Sequence, residues 1–247
     1  MKIAISSISI QLDMKDDSYL RRALNMVKSY LEFTNFDIIL LTNNCSFFDG
    51  VKNERLKVFD YHSNYNEPIR SGNKFNMHLK RLPIKTSISL GYDIIFLTDC
   101  DCYVTGWDNN SFENKIKEDF DVAFPSHARP QLGALRKSHP HFEKKIQTEF
   151  KELFYEKLNN SPNPNETRVI FKNNEKLKKF LEFWDEISKN NNNYFTYFSG
   201  VYFGTSATHA DMKMIGITKN DLFTNFCKIT HGNNSILDYF GQKDTVW

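Results

Sequence analysis

No stretch of the chain is apolar for long enough to span a bilayer, and the opening MKIAISSISI alternates serines with aliphatic residues before running into the acidic QLDMKDD. That excludes a signal core and a membrane anchor there, and no stable membrane insertion is expected. Cysteine is scarce: Cys45, Cys100, Cys102 and Cys227 are the four in 247 residues, with no C-x-x-C pair and no framework spacing. A disulfide-stapled fold is excluded and a reducing compartment is indicated, with the thiols as buried structural groups rather than zinc ligands. Charge of either sign is nearly absent in the balance, at +2. That is too little for a binder driven to nucleic acid by net charge, although a local basic patch remains open. The segment after the first apolar run, SSISIQLDMKDD, has neither glycine nor arginine, so it lacks the loop with which a nucleotidyltransferase cradles a triphosphate. A soluble cytoplasmic protein, bacterial or virus-encoded, is the expectation.

What is present has the rhythm of an α/β protein. The length suits one domain, residues 1–247, with a first half (1–107) and a second (108–247) sharing one sheet. Residues 2–10, FDIILLTNN, LKVFDY and the run Ile94-Ile95-Phe96-Leu97 read as strands, and 18–34 as an amphipathic helix with Leu20, Leu24, Val27 and Leu31 on one stripe. Another helix within 73–90 is bent or restarted near Pro83. Strands alternating with helices predict a doubly wound sheet, central, mixed and mostly parallel, flanked by helices. In the second half DVAFP (121–125) reads as a strand, 142–158 as a charged helix, and TRVIFKNNEKLKKFLEFWDEI as strand, turn and helix with Leu177, Phe180, Leu181 and Trp184 in register. YFTYFSGVYFGTS reads as an aromatic strand broken by Gly200 and Gly204.

The most informative stretch is YDIIFLTDCDCYVTGW, residues 92–107. Its apolar run reads as a strand covered on both faces, and such strands deliver ligand groups at their carboxyl ends. If the segment stays extended, Asp99 and Asp101 point one way and Cys100 and Cys102 the other. Two carboxylates together suit a hard divalent cation, Mg²⁺ or Mn²⁺, which can bridge to phosphates and neutralise a diphosphate as its bond breaks. Capping or turn carboxylates are the alternative. A second D-x-D, Asp119 and Asp121, precedes a weaker strand and reads as a solvated strand entrance.

With these residues in view, the chain resembles the GT-A glycosyltransferases, nucleotide-sugar enzymes of Rossmann-like fold that carry a DxD motif. MKIAISSISI, FDIILLTNN and a lysine-bearing helix ahead of YDIIFLTDCDCYVTGW carry the resemblance over the first 107 residues, and YFTYFSGVYFGTS is similar to a segment of the retaining ABO-type transferases. The resemblance implies that Asp99 and Asp101 hold Mn²⁺ or Mg²⁺ and the diphosphate, with Asp99 also near the ribose. It implies that Ser6, Ser7 and Ser9 meet the nucleoside of a UDP-sugar, unless they are simply a serine-spaced strand. The resemblance implies that Lys80 faces the donor diphosphate, with Lys74 and Arg81 as substitutes, unless it is simply a solvated helix lysine. Ser199 and Gly200 border the transferred sugar, or form a bulge in a packed strand. His231 is a candidate third metal ligand, or a histidine with no such role. ABO-type enzymes place a carboxylate just past a tryptophan; here Asp244 lies shortly before Trp247, so it takes that role, or the chain is truncated, or the mechanism differs, with retention and inversion both open.

The expected activity is metal-dependent transfer of a sugar from a nucleotide sugar to a hydroxyl, a glycan by default. The basic segment 127–145 allows a second acceptor, hydroxymethylated DNA bases. A non-catalytic nucleotide-sugar-binding module on the same fold is the alternative of another class. The haloacid-dehalogenase phosphatase motif is approached by DCDCYVTG but fails at Tyr103, and no adjacent Asp-Asp pair follows residue 101.

Overall fold

A computed structural model describes residues 1–71, 74–125, 168–189, 199–218, 221 and 223–228, without the side chains at 71, 74, 187, 189, 199–202 and 224–228. Its elements run in the order β1 (Ile3–Ser9), α1 (Ser18–Phe33), β2 (Asp37–Thr42), β3 (Leu56–Asp60), α2 (Tyr61–Asn64), β4 (Arg70–Ser71), β5 (Lys74–Phe75) and α3 (Leu82–Ser89). There follow β6 (Ile94–Thr98), β7 (Cys102–Trp107), α4 (Asn109–Lys117), β8 (Val122–Pro125), β9 (Arg168–Lys172), α5 (Glu175–Lys189), α6 (Ser199–His209), β10 (Met214–Ile217) and β11 (Thr224–Lys228). Among the described residues no helix is long and apolar enough to cross a membrane.

The apolar runs become strands because both of their faces are covered. Ala4, Ile39, Ile95 and Leu97 turn to one side of the sheet, where Phe171, Phe180, Trp184 and Phe203 complete a core beneath α3, α5 and α6. Ile5, Ile38, Leu40, Ile94 and Phe96 turn to the other, against Leu20, Met26, Val27 and Tyr30 of α1 and Phe112 and Ile116 of α4. This period-two alternation, apolar on both sides, is what a strand between two helical layers requires.

The resulting sheet has the order β10-β8-β9-β6-β1-β2-β3, so strands from both halves of the chain share it. β1 is parallel to β2 and β6, β2 to β3 and β8 to β10. β9 runs antiparallel to both of its neighbours. The architecture is α/β and Rossmann-like, mixed and mostly parallel. A ribbon of β7 and β11 and a short hairpin of β4 and β5 lie outside the main sheet.

Local chemistry explains several boundaries. The chain restarts near Pro83 as expected: a 3-10 turn, Met77–Arg81, passes into α3, whose first turn holds the proline where its missing N–H is no loss. Asp108 caps α4 by accepting from the backbone N–H groups of Asn110 (3.0 Å) and Ser111 (3.3 Å). Asp119 is exposed and pairs with Lys213, but Asp121 is not a solvated entrance. It accepts from Asn174 Nδ2 (2.8 Å), Lys176 Nζ (2.8 Å) and the backbone N–H of Lys213 (2.6 Å), tying β8, the start of α5 and the approach to β10 together. Burial works against its charge, yet the bonds from Lys176, Lys213 and Asn174 hold its carboxyl below the usual range.

The aromatic strand expected over 194–206 is not found where the chain is described: Ser199–His209 is helix α6. Phe203, Ala207 and Ala210 are buried together, a spacing of four then three that packs one helix face on Phe180, Phe183 and Trp184 of α5. Thr208 Oγ1 donates to the Gly204 carbonyl (2.8 Å), as helical backbone allows. Tertiary packing overrode the strand preference of Val, Tyr and Phe. The helix expected over 142–158 lies outside the described residues.

Candidate functional site

In an open α/β sheet the ligand crevice lies beyond the carboxyl ends of the strands, where the strand order reverses. Here the reversal falls between β1 and β6, whose outer neighbours are β2 and β9. A cavity of about 180 Å³ opens at that point. Its apolar wall is Ile8, Ile10 and Leu12 from the end of β1, Leu97 from β6, and Phe75 and Met77 from the segment leading to α3; Tyr19 closes one side. Its polar side is Thr98, Asp99, Cys100 and Asp101 with Lys80 opposite.

The polar tails of β1 and β2 hold this wall in place. The backbone N–H of Gln11 donates to Asn43 Oδ1 (2.8 Å), Asn43 Nδ2 donates to the Gln11 carbonyl (2.9 Å), and Asn44 Nδ2 donates to Gln11 Oε1 (3.1 Å). The asparagines of FDIILLTNN therefore fix the loop after β1.

Lys80 is aimed by its neighbours. His78 accepts from Trp184 Nε1 at its Nδ1 (3.1 Å), which places the imidazole proton on Nε2. Arg81 is clamped by Glu67 (2.7 Å), Asp185 (2.6 Å) and the His78 carbonyl (2.7 Å). With both flanking side chains held elsewhere, Lys80 enters the cavity and its Nζ meets Asp99 Oδ1 at 2.6 Å. Arg81, considered as a substitute for Lys80, is thus committed to another network; the side chain of Lys74 is outside the described set.

The D-x-D segment is a turn rather than an extended strand end: the Cys102 N–H donates to the Asp99 carbonyl (3.1 Å). Asp99 and Asp101 do stay together, but the expected alternation fails. Cys102 joins the carboxylates, with ligand atoms of Asp99, Asp101 and Cys102 all within 4.8 Å of one another, and Cys100 lines the same cavity. A turn reverses the chain and so breaks the up-down rule of a strand. Asp101 is 8% exposed, and among the described residues its one bonded partner is Cys102 Sγ, at 3.7 Å. A carboxylate so deeply placed without a cation beside it suits a bound cation, and two carboxylates on one turn supply the oxygens that Mn²⁺ or Mg²⁺ takes. Burial pushes the Cys100 thiol far up, reinforced by Asp101 and Asp99, so it is protonated at neutral pH and unsuited as a nucleophile.

The serines of β1 turn inward. Ser6 Oγ pairs with Ser87 Oγ (2.7 Å), Ser7 Oγ donates to the Thr98 carbonyl (2.8 Å) and Ser9 Oγ to the Tyr19 carbonyl (3.1 Å), tying the sheet to α3, β6 and α1. None of the three lines the cavity. Ser199 and Gly200 open helix α6 instead of lying in a strand, and their surroundings are outside the described set. His231, Asp244 and the basic segment 127–145 lie outside the described residues.

Tyr19, Phe75 and Met77 were not singled out from sequence, and Cys102 was expected as a buried structural thiol on the side away from the carboxylates. Arg168 was not singled out either; it opens β9 opposite Thr98 and so stands beside the acidic turn. Burial lowers its pKa, against the pull of Cys102 and Tyr30. No spacing in the sequence links residue 168 to residue 98; only the antiparallel pairing does.

No protein-family model matches the chain, and no curated protein matches it. Among solved structures it is similar to the bifunctional IspDF from Campylobacter jejuni, with a TM-score of 0.43 and 13% identity over 88% of this chain and 50% of that one. The chain thus spans about half the length of that protein, and a likeness this distant bears no argument about activity. What fold and site define is an α/β Rossmann-like protein with a lysine-faced acidic turn at the switch point of its sheet.

Proposed function

We propose that the protein is a metal-dependent glycosyltransferase that takes a sugar from a UDP-sugar and passes it to a hydroxyl, with a glycan as the acceptor class. The observation that supports this reading most is the convergence of Lys80, Asp99 and Asp101 on one cavity at the sheet's switch point. The apolar wall of Ile8, Ile10 and Leu12 with Tyr19 takes the uracil and ribose. The polar and apolar sides of the cavity match the two chemistries of a nucleotide donor, its charged diphosphate and its flat base. Lys80 turns its ammonium to the diphosphate, and its neighbours His78 and Arg81 keep it there. Asp99 and Asp101 hold Mn²⁺ or Mg²⁺, which when bound supplies the positive charge that a diphosphate leaving group needs.

A thermal-shift panel of nucleotide sugars with and without Mn²⁺ tests the proposal. A UDP-sugar with Mn²⁺ should raise the melting temperature, since ligand at about 100 times its Kd stabilises by about 2.7 kcal/mol. Asp101→Ala should lose both that shift and donor turnover while folding normally, and Asp99→Ala should lose both at a stability cost of about 3 kcal/mol from its broken pair with Lys80. No shift with any donor, or undiminished turnover in both variants, would end the proposal.

One observation favours a second reading, a non-catalytic nucleotide-sugar-binding module. The Lys80 ammonium already meets Asp99 at 2.6 Å, so part of the site's charge is balanced without a metal. UDP binding that is independent of Mn²⁺, with no hydrolysis or transfer, would select the module.

A further inference from the structure

The acidic turn carries a third donor that two-carboxylate chemistry does not need. Cys102 is 4% exposed and begins β7 immediately after the turn, and its Sγ stands 3.7 Å from Asp101 Oδ1. Oxygen and sulfur atoms bound to one tetrahedral ion at about 2.1 and 2.3 Å lie about 3.6 Å apart, so this pair already has the spacing of a shared ligand set. Asp99 completes a group whose ligand atoms lie within 4.8 Å of one another. Asp101 is moreover buried, lines the cavity and forms no ion pair among the described residues. Lys80 meets Asp99 and the charge of Arg168 acts on Cys102, so the thiol is flanked by a cation that favours its thiolate form, and Asp101 is the carboxylate toward which an ion at the turn would lie.

We propose that Cys102 is a protein ligand of the cation at this turn, and that the site consequently takes a thiophilic divalent ion, Zn²⁺ or Co²⁺, in preference to Mg²⁺. Thiolate is a soft donor, and one sulfur among oxygens moves selectivity toward borderline metals, whereas Mg²⁺ seeks oxygen alone. The Sγ–H proton passes to solvent as the metal–sulfur bond forms. The inference rests on the reading of the Asp99–Asp101 turn as a cation site and adds the identity of the third donor and of the metal class.

Cobalt reports the sulfur directly, because a Co²⁺–thiolate bond gives a near-ultraviolet charge-transfer band that oxygen ligands do not. Titrating the protein with CoCl₂ should produce that band, saturating at one equivalent, and it should persist in Cys100→Ser. In Cys102→Ser the band should vanish, and Co²⁺ affinity should fall by at least the ~10-fold that loss of even an outer-shell partner costs a metal site. Cadmium NMR of the unmodified protein, with a resonance in the sulfur-ligated range, checks the same point should Cys102→Ser fail to fold. A band that survives in Cys102→Ser, or oxygen-only spectra from a protein that still shows the Mn²⁺-dependent UDP shift, overturns the role of Cys102 and leaves the functional reading standing. Absence of binding for every cation, with Asp101→Asn indistinguishable from the parent, overturns both.

Discussion

Lys80 and Asp99 offer the sharpest test of how the site is built. Their side chains are 9% and 18% exposed and their charged atoms 2.6 Å apart. Placing two ions there costs most of what their attraction returns, so the pair as a whole contributes little. Removing one partner is different, because it takes the nearest counter-charge from the other: breaking a buried pair costs about 3–5 kcal/mol, and the residual exposure of Asp99 argues for the lower end, about 3. Lys80→Met should therefore lower stability by about 3 kcal/mol, or about 9 °C in melting temperature at about 3 °C per kcal/mol for a chain of this size. The double variant Lys80→Met/Asp99→Asn should recover to within about 1 kcal/mol of the parent, since the two facing charges are then removed as a unit. The assay is urea denaturation of all four members of the cycle in metal-free buffer. Effects that add within about 0.5 kcal/mol would refute the reasoning, for they would show that the two groups do not sense each other. Mn²⁺ with UDP should restore part of the loss in Lys80→Met, because a cation would then replace the ammonium beside Asp99.

Two further outcomes follow from groups around the site. Burial, aided by the charge of Arg81, lowers the pKa of His78 to about 4 from 6.5, so the folded state binds fewer protons than the unfolded one between those values. Stability contributed by neutral His78 is complete above pH 6.5 and declines as the pH falls toward 4, by about 1.4 kcal/mol per unit. Urea titrations at pH 7 and pH 5 should show a loss of about 2 kcal/mol that is missing in His78→Gln; equal losses in both proteins would refute it. Phe203 is fully buried among Phe171, Phe180 and Trp184, with ring centroids at 5.7, 5.3 and 6.4 Å, so Phe203→Ala should cost about 3–5 kcal/mol by denaturation. A change under about 1 kcal/mol would show that α6 is not packed as described.

Pattern along the chain sufficed for the first half of the fold. Ile94–Leu97, Ile38–Leu41 and the β1 run are apolar at every position or every second one, and the amphipathic α1 separates the first two strands in the chain, so strand, helix and layer follow from local periodicity. The same local logic placed β9 and α5, where Leu177, Phe180, Leu181 and Trp184 all prove buried. It failed at 199–209, where β-favouring residues form a helix whose Phe203 and Ala207, with Ala210 just past its end, pack into one core with Phe180, Phe183 and Trp184 of α5, a contact that no window of sequence contains. It failed again at 99–102, where one backbone hydrogen bond turns the chain and moves Cys102 to the side of the carboxylates.

The acidic pair could be picked out beforehand because a polar, charged ending to the most apolar run is itself a one-dimensional signal. Which cation faces it, what wall stands opposite and which atoms complete the cluster were decided by pairings distant in sequence: Lys80 beside the clamped His78 and Arg81, Arg168 through the antiparallel ladder, and the cavity through the meeting of residues 8–12, 75–80 and 97–101. Such contacts depend on the position of three or four elements at once, and residue order alone carries no measure of those distances.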